Sequence, residues 1–231
     1  MWKDFRRGIL QGIPIFLGYL SVSFGIGILA IQAGMTVAES VLLSAANLTS
    51  AGQAAGIEVI AAGGTLLEII LTQLVINLRY ALMSLSLSQK LAPETGTGKR
   101  LAISYGITDE IFAVSYGQPR VVTPSFMAGL IMISALGWVL GTALGAVAGA
   151  LLPASVTSAL GIMLYGMFIA IFLPAAKRDR RVLCVVAIAI GISLLMRYVF
   201  DFISSGFAVI LCALIASVIG ALLFPISEEE T

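Results

Sequence analysis

Apolar residues run along this chain in stretches long enough to cross a bilayer, and the informative positions are where those stretches break. Residues 8–38, 121–176 and 202–227 contain no Asp, Glu, Lys or Arg. A spanning helix needs about 20 such residues. The pattern predicts clear spans at 9–33, 65–88, 124–150, 155–175, 182–200 and 204–225. Two further segments, 36–62 and 101–118, mix small residues with polar and acidic ones. The expectation is an all-α polytopic membrane bundle of roughly six to seven spans, with broken or re-entrant helices around 36–62 and 101–118.

Parity leads to the same two segments. Basic residues cluster at the N-terminus, at 89–100 and at 177–181. Lys and Arg beside spans mark the cytoplasmic face. If all three clusters share that face, an even number of crossings separates each pair. The clear spans satisfy this only if 36–62 breaks or turns back and 101–118 does not cross. Irregular backbone at membrane depth requires protein or water to satisfy it. The other reading is a seventh complete span with one basic loop outside. No internal repeat is visible by residue identity.

Composition agrees with one integral membrane domain over residues 1–231. The chain is 59% hydrophobic and 11% charged, with a mean hydropathy of +1.06. Lys3, Arg6 and Arg7 precede an apolar run longer than the 7–15 residues of a signal-peptide core, and more spans follow. A retained, multi-pass anchor with a cytoplasmic N-terminus is expected. The chain has no histidine, which removes His-based triads and His proton relays. Cys184 and Cys212 lie in apolar runs without metal-ligand spacing. No metal, cofactor, catalytic role or nucleic-acid partner is expected, and transport would draw on a gradient or another chain.

The candidate chemistry lies in and beside the weak segments. Asn47-Leu48-Thr49-Ser50-Ala51-Gly52-Gln53 gathers hydroxyls, amides and a glycine. A half-helix starting there would offer N–H groups and a positive dipole end to a carboxylate. A helix contact built from small polar residues is the alternative. Gln73, Asn77, Tyr80 and Ser84 share one helical face. Arg79 either snorkels to the surface or pairs with Asp109 or Glu110, which diverge on a helix. Those two acids are candidates for ion pairing or proton coupling, or else an interfacial acidic pair. Gly137, Gly141, Gly145 and Gly149 recur every four residues and form a stripe that admits a close helix neighbour. Arg197 and Asp201 stand at i and i+4, a plain ion-pair spacing.

Read in order, Pro14, Gly18-Tyr19, Phe24-Gly25, Ser50-Ala51-Gly52-Gln53, Asn77-Leu78-Arg79-Tyr80, Thr108-Asp109-Glu110 with Phe112, and Trp138-Val139-Leu140-Gly141-Thr142 resemble the AzlC family. That family supplies the large subunit of branched-chain amino acid exporters. The resemblance covers about residues 10–175. It implies an inner-membrane permease that moves branched-chain or other small apolar amino acids and works with a small AzlD-like membrane subunit. With the residue reading, it places substrate at Thr49, Ser50, Gly52, Gln53 and Asn77, and coupling or ion pairing at Arg79, Asp109 and Glu110. The competing expectation is a non-transporting or channel-like membrane subunit whose polar groups only hold helices together.

Overall fold

The computed structural model describes residues 1–153, 155, 156, 159, 166, 169, 173, 174, 176–200 and 202–225. Its helices are α1 (Trp2–Gln32), α2 (Val37–Ala46), α3 (Ser50–Ala61), α4 (Leu66–Lys90), α5 (Thr97–Tyr105), α6 (Asp109–Tyr116), α7 (Pro124–Leu151), α8 (Arg180–Tyr198) and α9 (Ser205–Leu223). Among the described residues, five stretches are long and apolar enough to span: α1, α4, α7, α8 and Gly206–Leu223 within α9. The span expected at 155–175 lies mostly outside the described residues. The first helix starts at Trp2 rather than residue 9, because charged Lys3, Asp4, Arg6 and Arg7 are compatible with helix once they stand outside the hydrocarbon.

Threonine starts many of these helices. Thr36, Thr108 and Thr123 cap α2, α6 and α7 through their hydroxyls. The Thr49 hydroxyl accepts the Gly52 N–H at 3.3 Å at the start of α3. Thr36 with Glu39 forms a full capping box. Hydrogen bonds from the Thr36 backbone and hydroxyl hold the Glu39 carboxyl below the usual carboxylate range. Thr65 and Glu68 exchange the same contacts at the start of α4, with Thr65 N–H donating to Glu68 Oε2 at 2.7 Å.

The chain falls into two compact units, residues 1–54 with 77–161, and residues 55–76 with 162–231. In the first unit α1 and α7 run parallel at close range. A Cβ built on Gly137 would stand 2.6 Å from the Phe16 carbonyl oxygen, and one on Gly141 would stand 2.5 Å from that of Leu20. Gly145 faces the Phe24 carbonyl in the same way, and from the other side Gly8 of α1 faces Phe126 and Leu130. The pairing advances in one direction along both helices, so both start at the same end.

The C-terminus of α4 also lies at that end. Val122 N–H donates to the Lys90 carbonyl and Ala92 N–H to that of Val122, both at 3.0 Å. Helix α5 departs from there, with Arg100 donating to the Ser88 carbonyl at 2.8 Å. It climbs to a break at Gly106–Ile107–Thr108, level with Tyr19 in the middle of α1. Helix α6 then descends until Gln118 donates to Gln11 at 2.8 Å. Segment 101–118 is therefore a re-entrant pair of short helices, and it does not cross.

Segment 36–62 is broken as well. Helix α2 begins beyond the far end of α1 and reaches mid-depth, where Ser44 lies 2.6 Å from Thr142. The backbone breaks at Asn47–Thr49 and restarts as α3. Within the first unit α4 descends from Arg79, beside the α5–α6 break, to Lys90 at the basic end. In chain order, two short helices meeting at a threonine-capped break are followed by one long helix twice, as α2–α4 and as α5–α7.

This topology has a direct test. Single cysteines at Gln32 and Thr97, in a background lacking Cys184 and Cys212, should be labelled by an impermeant thiol reagent from opposite faces. Labelling of both from one face would contradict the placement of α5 at the starting end of α1.

Candidate mid-membrane polar site

The two breaks meet in the first unit. The Tyr105 hydroxyl, at the end of α5, donates to the Ala45 carbonyl at the end of α2. Tyr19 of α1 is buried between these tips and α7. Its hydroxyl stands 2.5 Å from both Thr108 Oγ1 and Glu110 Oε2. A phenol has one proton to donate. The arrangement that satisfies both contacts sends that proton to the carboxylate and takes one from the threonine. The Tyr19 ring meets Trp138 of α7 edge-on, with centroids 5.3 Å apart.

Trp138 extends the network. Its Nε1–H donates to Gln53 Oε1 at 2.9 Å, and Gln53 Nε2 donates to Ser44 Oγ at 2.6 Å. Ser44 in turn bonds Thr142. Gln53, Ser44 and Thr142 are 0% exposed and Trp138 is 1% exposed. The glycine stripe makes this possible. With no side chains between the α1 and α7 backbones, tyrosine and tryptophan beside the seam can project toward the breaks.

Arg79 of α4 donates to Asp109 Oδ2 at 2.9 Å and also lies over its neighbour Tyr80, 5.0 Å from that ring's centroid. The two charged side chains are 50% and 40% exposed. Arg79 sits near the middle of a 25-residue apolar helix, where lipid would impose a cost of at least ~2.5 kcal/mol on a charge. A half-exposed pair at this depth needs water or another protein surface against it.

The sequence-derived candidates therefore separate. Asp109 takes Arg79, while Glu110, on the other side of α6, takes Tyr19. Thr49 caps α3; Ser50, half-buried, begins it; Gly52 is buried within its first turn. Gln53 stands in the Ser44–Trp138 chain with both ends of its amide occupied. Asn77 is half-buried on α4. Gly137, Gly141 and Gly145 face α1 closely, and Gly149, with Ile31 at 3.3 Å, has more room. Ser44, Thr142 and Trp138 do not stand out as polar partners in the sequence, since each brings a single polar side-chain atom to a largely apolar run. Among the described residues no group of His, Cys, Asp and Glu could hold a metal.

Comparison with known proteins places this sequence among membrane proteins. The AzlC protein family matches residues 14–152. The inner membrane protein YgaZ of Escherichia coli is 31% identical over 81% of this chain and 79% of its own. An uncharacterized membrane protein of Archaeoglobus fulgidus is 34% identical over 75% of this chain and 76% of its own. The branched-chain amino acid transport protein AzlC of Bacillus subtilis is 24% identical over 78% of this chain and 71% of its own. No solved structure matches.

Proposed function

Because the chain belongs to the AzlC protein family, we propose that it is a secondary transporter exporting branched-chain or other small apolar amino acids across the inner membrane. The observation that carries this reading is the half-exposed Arg79–Asp109 pair beside two helix breaks at mid-depth. Broken helices at the midplane are a recurrent way to build a substrate site in secondary transporters. The start of α3, Thr49, Ser50, Gly52 and Gln53, offers a helix N-terminus to the substrate carboxylate, and Asn77 offers an amide. Asp109 or Glu110 carries the coupling proton, with Arg79 as the counter-charge. The N-terminus and the basic loops face the cytoplasm, and a small AzlD-like subunit covers part of the bundle.

One observation favours the competing role of a scaffold or channel-like subunit: both ends of the Gln53 amide are already satisfied within the protein. Counterflow separates the two. Proteoliposomes preloaded with unlabelled valine should transiently concentrate labelled valine, alone or with the small subunit, and the rate should saturate. No flux under either condition identifies a scaffold, and non-saturating flux without counterflow identifies a channel.

A further inference from the structure

The second unit contains a cavity of about 540 Å³ lined by Glu58 of α3, Ser193, Met196 and Arg197 of α8, and an apolar wall on Ile203 and α9. That volume falls in the ordinary range of small-molecule sites. All its described lining residues belong to this one unit. The charges lie at helix ends, Glu58 one turn before the end of α3 and Arg197 one residue before the end of α8. The starts of α4 and α9 are tied together, because the Ser204 hydroxyl donates to Glu68 and Thr72 donates to the Gly206 carbonyl at 3.4 Å. Gly206 is buried there, with Val59 and Glu68 around it. The wall of α9 presents Ala208, Val209, Cys212 and Ala213 to the space.

Both charges border the same space, yet no ion pair joins them among the described residues; the Asp201 that stands four residues after Arg197 lies outside those residues. Two separate charges of opposite sign beside an apolar wall match a free amino acid in each part. A carboxylate suits the α-ammonium, and a guanidinium, with its planar fork, suits the α-carboxylate. The Val209, Cys212 and Ala213 wall suits a branched aliphatic side chain. A membrane lipid would fill an apolar groove but leave at least one of the two charges without its complement unless its headgroup were zwitterionic.

We propose that the Glu58–Arg197 cavity is a second binding site for a zwitterionic apolar amino acid, built wholly from the second unit. The proposal rests on the transport reading for the choice of ligand class. Its position at the ends of α3 and α8 suits a vestibule that holds substrate near a membrane surface.

Cys212 provides a probe that leaves the charged residues intact. In a Cys184→Ala background, alkylation of Cys212 by a small impermeant thiol reagent should be slowed at least tenfold by saturating valine. Isobutylamine, which has only the ammonium, and isovalerate, which has only the carboxylate, should protect far less. Glu58→Gln and Arg197→Gln should each abolish protection by valine while Cys212 still reacts. Equal protection by the one-charge compounds would overturn the zwitterion assignment. A Cys212 that never reacts would contradict a water-filled cavity. No protection in a preparation that performs normal valine counterflow would discard this site and leave transport standing. No protection together with no flux would remove both. Protection by zwitterionic lipid vesicles alone, and not by valine, would reassign the cavity to lipid.

Discussion

Gly141→Leu should yield little or no folded protein. The Leu20 carbonyl would lie only 2.5 Å from the new Cβ, and the Ser23 hydroxyl is also in the way. The hydroxyl can rotate away, but the carbonyl cannot move without shifting the α1 backbone, so the two helices would have to separate along their length. Overpacking a well-filled core costs about 1–3 kcal/mol when side chains can adjust. Here only backbone can yield, so on the order of 3 kcal/mol or more is expected. Separation would also pull Trp138 off Gln53 and Tyr19. Gly149→Ala is the control. Its nearest neighbours, at 3.3 and 3.4 Å, need give by only tenths of an ångström, and near-normal yield is expected. Detergent-stable yield by size-exclusion chromatography reads both. Normal yield and stability for Gly141→Leu would mean that α1 and α7 are not in contact.

Asp109→Asn should abolish proton-driven accumulation of substrate while leaving exchange intact. Two magnitudes decide this expectation. As a static bond, a pair 50% and 40% exposed is worth at most about 1 kcal/mol once solvent screening is allowed for, so the variant should fold. As a charge switch the carboxylate is hard to replace, because the chain has no histidine to carry a proton in its place. Asparagine can still accept a hydrogen bond from Arg79 but cannot take up or release a proton. The accumulation ratio under an imposed pH gradient should fall to one, with counterflow retained. Glu110→Gln should be milder, since an amide oxygen can still accept the Tyr19 proton. Full pH-dependent accumulation by Asp109→Asn would make Asp109 only a structural partner of Arg79.

How much of this was legible in the sequence depends on the distance over which each signal acts. The two breaks were legible because each combines poor hydropathy with a local cap, Thr49 or Thr108, and because parity fails on the same segments. The glycine stripe announced a close neighbour of α7, but its partner, the Phe16–Phe24 backbone of α1, leaves no mark in sequence because any residue has a carbonyl. Glu110 was visible as an acid at depth. Its partner Tyr19 is 91 residues away, and only the folded chain brings the two together. The same holds for Gln53, which reads as a substrate amide until Ser44 and Trp138 are seen to occupy both ends.

The central claim is that substrate passes the junction of the two helix breaks, and Ser50 at the first turn of α3 is the position that tests it. In a background lacking Cys184 and Cys212, Ser50→Cys should react with a small impermeant thiol reagent, and saturating valine should slow that reaction severalfold or more. A cysteine at Ser50 that is inert from both faces, or whose rate valine leaves unchanged while counterflow proceeds, would contradict the claim and place the path elsewhere in the chain.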